Sequence, residues 1–144
     1  MKPKLLLRIA AVLIFIHGAL HTVGFSQWKQ DPDPAKQELI KLMTGRKFPF
    51  MGTSRNVGNY YDGFGYASSI ALILIAVLLW IVSGELSANP TLAKKVIVVI
   101  SFALLFWATD EAIYFFPFAA GLSFVASLCG FASLPGLGKQ SASQ

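Results

Sequence analysis

The sequence predicts an all-α polytopic membrane protein with four transmembrane helices and a short amphipathic surface helix in the first loop. Three observations carry this. Of 144 residues, 55% are hydrophobic and only 13% charged, against roughly 25% charged in an average soluble domain, and the mean hydropathy is +0.61. Charge-free stretches reach spanning length: Ile9–Trp28 has 20 residues, Gly63–Gly84 has 22 and Ala112–Gly138 has 27, where a membrane helix needs about 20. The ionisable residues gather instead in short flanks and in one polar segment, residues 29–59. The expected spans are 5–26, 60–84, 91–115 and 118–134, with the surface helix at 34–44, all in one membrane domain over residues 1–135.

Helix 1 begins near Lys4, and Arg8 lies about one turn in, where it can snorkel to the interface. Gly18 and Thr22 form a small-residue stripe that another helix can approach closely. Trp28 suits the aqueous boundary. Lys2, Lys4 and Arg8 before an apolar run give the charge layout of a signal peptide, but no small-x-small cleavage site follows, so an uncleaved helix is expected.

In the polar segment, Asp33-Pro34 reads as N-cap and N1 of a short helix. Its Ala35, Leu39, Leu42 and Met43 share one face, and Gly45 is a natural stop. Such a helix lies on a membrane surface or over the bundle mouth. Phe48-Pro49-Phe50-Met51-Gly52 is too apolar for a free loop and is expected to dip into the interface. Thr53–Gly58 reads as a polar turn.

Helix 2 is expected to start with Asn59 as N-cap and Asp62 at N3, a variant capping box. Tyr60, Tyr61 and Tyr66 are interface aromatics, Gly65 and Ser69 a small-residue contact. Asn89-Pro90 repeats the cap-plus-proline signature for helix 3. Its charge-free part, Val96–Thr109, is only 14 residues, short of a span. The helix therefore takes in Asp110 and Glu111, or ends before them and leaves them in a turn. Phe116-Pro117-Phe118 is the better turn, because proline lacks a donor and restricts its predecessor. Helix 4 carries Ala119, Ser123 and Ser127 as a small stripe and is ended by Leu134-Pro135-Gly136. Residues 136–144 read as a disordered tail.

His17 and His21 lie four residues apart, on one face of helix 1. Polar side chains at that depth are costly and mark a functional-site hypothesis. Four spans bring His17, His21, Tyr61, Asp62, Asp110, Glu111 and Arg55 to the end of the bundle away from both termini. Asp110 and Glu111 point about 100° apart, so only one can face the histidines. Lys and Arg divide six to six between the two sides. The positive-inside rule then gives a tie, and the tight N-terminal cluster favours cytoplasmic termini.

Several chemistries suit this set. His17 and His21 can chelate one metal ion with a carboxylate from another helix as third ligand. The Glu of a His-Glu-x-x-His protease is missing. Bis-histidine haem within one chain is excluded, because both imidazoles point the same way and the other helices offer none. A buried carboxylate can share a proton with His17 or His21, and the cluster can bind a small amphipathic molecule. The structural alternative is that these residues are hydrogen-bonded interhelical glue in a partner-binding or purely structural subunit. Arg55 and Asp62 are candidates for a weak interfacial pair. Trp107, Tyr114, Phe115, Phe116 and Phe118 read as an interfacial belt, with a lipid or quinone pocket as the alternative. The single Cys129 rules out an internal disulfide and a cysteine metal cluster. The charge of +5 fits lipid head groups, and no nucleic-acid motif is present. No cofactor and no reaction are assigned.

Leu13–Phe25 with its His-x-x-x-His-Thr, Phe48–Gly52, and Tyr60-Tyr61-Asp62-Gly63-Phe64-Gly65 together resemble a group of small four-helix bacterial inner-membrane proteins with no established activity. The resemblance covers residues 5–134. It implies an inner (plasma) membrane location and nothing about a substrate. Sterol-isomerase-like helical bundles, which also gather His and acidic residues in an intramembrane cavity, offer an analogy of architecture alone.

Overall fold

The computed structural model describes residues 2–140. They form α1 (Pro3–Ser26), a 3-10 turn (Trp28–Gln30), α2 (Pro34–Gly45), β1 (Phe48–Phe50), β2 (Thr53–Arg55), α3 (Val57–Glu85), α4 (Pro90–Tyr114) and α5 (Pro117–Gln140). Four helices are long and apolar enough to cross a membrane: Pro3–Ser26, Val57–Glu85, Pro90–Tyr114 and Pro117–Leu137. At about 1.5 Å per residue they run from about 31 to 44 Å, against about 30 Å of hydrocarbon. α4 takes in both Asp110 and Glu111, and Phe115-Phe116 makes the break before α5.

Some boundaries differ from the sequence reading. α5 continues through Pro135 to Gln140, so Leu134-Pro135-Gly136 does not end it. A proline inside a helix forfeits one backbone bond, a loss that membrane helices tolerate. The part of the expected tail at 141–144 lies outside the described residues. α3 starts earlier than expected because Asn56 is its cap. The Asn56 side chain accepts from Asn59 N at 2.8 Å, and the Asn59 side chain accepts from Asn56 N at 3.2 Å. This reciprocal pair is a capping box one turn before the expected one. The caps at Asp33 and Asn89 form as read, each side chain accepting from a backbone N–H in its helix's first turn.

The chain divides into two compact units. The first runs to His17 and resumes at Leu72. Its core is a set of helical stripes: Leu7, Ala10, Ala11 and Ile14 on α1; Leu72, Ala76 and Leu79 on α3; Ala93, Ile97, Ile100 and Leu104 on α4. α5 contributes mostly small side chains, with Ala119, Ser123, Ala126, Ser127 and Ser133 buried. They let α4 and α5 approach closely. A Cβ on Gly130 would collide with the Ser101 hydroxyl, and Ser127 Oγ donates to Ser101 O at 2.8 Å. Large apolar side chains on the outer faces, such as Phe102, Phe106, Val99 and Val77, are exposed, a pattern that marks a membrane or partner surface.

The second unit, Gly18–Ala71, is held by aromatic rings and hydrogen bonds. The Phe25 ring fills the notch left by Gly65 and meets Tyr66 edge-on, centroids 5.1 Å apart. Trp28 Nε1 and Lys29 Nζ both donate to Asp62, at 2.9 and 2.6 Å. α2 has no buried residue. It is tied down at its end, where Asn56 Nδ2 donates to Thr44 O at 2.6 Å. The Phe48–Arg55 stretch, read as an interface-dipping loop and a polar turn, is an antiparallel hairpin with Phe48 opposite Arg55 and Phe50 opposite Thr53.

Candidate functional site

The stripe that makes α1 an inward-facing helix runs Leu7, Ala10, Ile14 and then His17, at steps of three and four. On α4 it runs Ile97, Leu104, Ala108 and then Glu111. Each polar residue occupies the next position of an apolar stripe, so each is carried into the interior of the first unit. His17 is 3% and Glu111 5% exposed. There they meet, with His17 Nε2 2.9 Å from Glu111 Oε1.

Two further side chains close the cluster. Trp107, one turn before Glu111 on α4, donates from Nε1 to Glu111 Oε1 at 3.0 Å. Ser123 on α5, fully buried, donates to Glu111 Oε2 at 2.8 Å, and its oxygen lies 3.2 Å from His17 Nδ1. Both carboxylate oxygens and both ring nitrogens are thus engaged, and three helices are joined.

Counting hydrogens fixes the charge of the cluster. Four contacts need four hydrogens. Trp107 and Ser123 supply one each. His17 and Glu111 together must hold the other two. Either the imidazole carries both beside a carboxylate, or Glu111 is a carboxylic acid donating to Nε2 while Nδ1–H donates to Ser123, or the acid donates from Oε2 to Ser123, which turns its own hydrogen to Nδ1 while Nε2–H donates to Oε1. The first two differ by one proton moving along the Oε1···Nε2 contact, and all three are electrically neutral overall. Neutrality matters here, since burying a net charge in low dielectric is far costlier than burying satisfied dipoles.

In the first two arrangements Ser123 gives its hydrogen to Glu111 and accepts from His17; in the third it donates to His17 Nδ1, the direction a nucleophilic serine needs. In every one Ser123 Oγ also contacts the carboxyl group, 2.8 Å from Oε2, and the residue is fully buried. Among the described residues no three His, Cys, Asp or Glu side chains group as metal ligands.

The other sequence-derived candidates are distributed as follows. Asp110 is exposed, the outcome expected for the neighbour of an inward-facing Glu111. His21, Tyr61, Asp62 and Arg55 belong to the second unit. His21 Nδ1 lies 3.1 Å from Ser69 Oγ, and its ring stacks on Phe25. Tyr61 packs against Trp28, centroids 4.8 Å apart. Asp62 pairs with Lys29, 2.6 Å away. Arg55 donates to Ser54 O, so the expected Arg55–Asp62 pair gives way to Lys29–Asp62. Lys29 directly follows Trp28, which already reaches the same carboxylate.

Sequence reasoning did not assign Ser123 and Trp107 to the site. Ser123 was visible only as one of several small residues, and Trp107 only as a belt aromatic. The usable signal was the four-residue spacing of Trp107 and Glu111, which sets an indole N–H beside a carboxylate. A groove of about 220 Å³ lined by Ala11, Val12, Phe15, Ala76, Val77 and Trp80 contains no cluster residue. Its volume is below the roughly 300–1,000 Å³ of small-molecule pockets. Comparison with protein-family models, with curated proteins and with solved structures finds no match for this chain.

Proposed function

We propose that the chain is a non-catalytic, multi-pass protein of the inner (plasma) membrane, with both termini cytoplasmic, in which the His17–Glu111–Ser123–Trp107 cluster is a neutral clasp between helices. The observation that carries this is the closure of the cluster. Each oxygen of Glu111 and each ring nitrogen of His17 is engaged by another member. Direct hydrogen bonds are what interhelical glue requires, whereas a ligand site keeps polar atoms free for its guest. Four apolar helices with apolar outer faces support the membrane location. The cationic cluster of Lys2, Lys4 and Arg8 at the start of the first span supports the orientation. A membrane subunit that binds a protein partner through its lipid-facing surface fits the same features.

One observation favours a second reading, proton carriage. The 2.9 Å Oε1···Nε2 contact lets a proton pass between Glu111 and His17 with no other atom moving. A double-mutant cycle on His17→Ala and Glu111→Ala tests the clasp, read as unfolding free energy in bicelles. Interhelical hydrogen bonds in bilayers average about 0.6 kcal/mol, with a maximum near 1.7. The coupling between the two sites should fall in that range or above it, since Ser123 links them a second time. Additive effects would refute the clasp. Unchanged stability with abolished proton flux in proteoliposomes would establish the second reading in its place.

A further inference from the structure

The hairpin Phe48–Arg55 is wholly exposed on both strands. A two-stranded hairpin alone is marginally stable in water, and this one displays Phe48, Phe50 and Met51 at 45, 58 and 88% exposure. Its turn is unusual for its residues. Met51 and Gly52 have φ of +46° and +78°, the two-residue geometry with positive φ at both central positions that favours Asn-Gly or Asp-Gly. A methionine there accepts backbone strain while its side chain stays exposed, and strain of that kind collects where function needs it.

Alternation sorts the side chains. Phe48 and Phe50 lie on one face with their partners Arg55 and Thr53. The base of that face is cationic. The Arg46 guanidinium lies 5.3 Å from the Phe48 ring centroid, Arg55 stands opposite Phe48, and Lys47 adds a third charge at the base, next to Phe48 in the chain. The far end, Phe50 and Met51, is apolar. At about 3.3 Å per residue, Met51 is roughly 13 Å along the strand from Lys47. Position on the chain supplies the last constraint. Arg55 precedes the first residue of α3, Val57, by two residues, and α3 is a candidate membrane span. The base of the hairpin is therefore held where a span would leave the bilayer.

We propose that this hairpin is a lipid wedge: Met51 and Phe50 enter the acyl boundary of the leaflet while Arg46, Lys47 and Arg55 bind the phosphates of anionic lipids. The wedge rests on the reading of α1 and α3 as membrane spans. Charge complementarity selects the occupant, since an apolar tip with three cations at its base matches the order of acyl chain and anionic head group along the membrane normal.

Spin labels test the proposal in full-length protein carrying Cys129→Ala, reconstituted into vesicles of phosphatidylcholine with or without phosphatidylglycerol. Met51→Cys and, independently, Phe50→Cys carry the probe, and Leu74→Cys on the exposed face of α3 is the control. Accessibility to oxygen against a water-soluble nickel complex reports depth. The expected result places Leu74 in hydrocarbon in both vesicles and positions 50 and 51 about 5–10 Å below the phosphates, deeper with the anionic lipid. Arg46→Gln with Arg55→Gln should abolish that difference. Aqueous labels at 50 and 51 beside a hydrocarbon-buried Leu74 label overturn the wedge and leave the spans standing. Equal depth in both vesicles overturns the assignment to anionic lipid. An aqueous label at Leu74 as well overturns the membrane reading itself, and the wedge with it.

Discussion

Replacing Glu111 in two ways separates a clasp built on hydrogen bonds from a site that needs charge. Glu111→Ala deletes three contacts at once, those to His17, Trp107 and Ser123. At the bilayer average of about 0.6 kcal/mol each the loss is about 2 kcal/mol, and at the largest measured value of about 1.7 it is about 5. Glu111→Gln behaves differently, because its amide can rebuild the network. The carbonyl oxygen accepts from Trp107 and from His17 Nε2–H, the amide N–H donates to Ser123 Oγ, and Ser123 turns its own hydrogen to His17 Nδ1. Four contacts again hold four hydrogens, and the cluster is again neutral. The expected change for Glu111→Gln is therefore within about 1 kcal/mol of zero, the net worth of rearranged but complete hydrogen bonding. Reversible unfolding in bicelles, followed by tryptophan fluorescence, reads both variants. The reasoning fails if Glu111→Ala stays within about 0.5 kcal/mol of the parent, or if Glu111→Gln is as damaging as Glu111→Ala. The latter result would mean that a charge or a movable proton holds the helices, and four satisfied contacts do not.

Cysteine labelling in a Cys129→Ala background should modify Lys41→Cys from outside the cell and Ser141→Cys only after the membrane is opened; modification of both from one side would end the four-span topology. Gly130→Ala should destabilise by about 1–3 kcal/mol through overpacking against Ser101. Ser101→Ala should be neutral or stabilising, because its buried hydroxyl oxygen has no partner among the described residues, and it should partly rescue Gly130→Ala; thermal melts of the three variants check this. Asp31 accepts a hydrogen bond from Lys36 at 2.7 Å, and that bond holds its carboxyl below the usual range. The order this pair lends to the start of α2 is therefore present above the ordinary carboxylate pKa of about 4 and lost as pH falls through the lowered value. A carboxyl NMR titration should show the Asp31 midpoint rising in Lys36→Ala, and an unmoved midpoint would refute the assignment.

How much of this was legible follows from what each residue competes with. His17 and Glu111 could be picked out because a charged or strongly polar group on an apolar stripe has no bland solution in lipid. Ser123 could not. Its hydroxyl can be satisfied by a backbone carbonyl of its own helix, as Ser69 satisfies its own at Gly65 O, so nothing in the sequence says that it reaches across to another helix. The sequence pattern places the cap of α3 one turn late because Asn56, Asn59 and Asp62 repeat the same three-residue spacing, and only tertiary context removes Asp62 to Trp28 and Lys29. The hairpin was hidden because Met51-Gly52 lacks the Asn or Asp that normally announces such a turn.

The rotation of each helix is set by the same polar and small residues. In water an apolar stripe orients a helix by itself, but lipid is as apolar as leucine and rewards no such choice. Leu72 is fully buried and Leu74 half-exposed on the same helix, and nothing in their chemistry tells them apart. Two features do discriminate. Small residues such as Gly130 and Ser127 admit a neighbouring backbone on one side only. Glu111 must point where His17, Trp107 and Ser123 can satisfy it. A rotation of α4 by one residue, about 100°, would put Asp110 at the inner position and turn Glu111 out, breaking three contacts while leaving the hydrophobic balance almost unchanged. The clasp thus selects one rotation of α4 among several of similar apolar burial, and the small stripe on α5 lets the helices close around that choice. Under this argument Glu111→Ala weakens the fold and also loosens the register of α4, whereas Glu111→Gln preserves both.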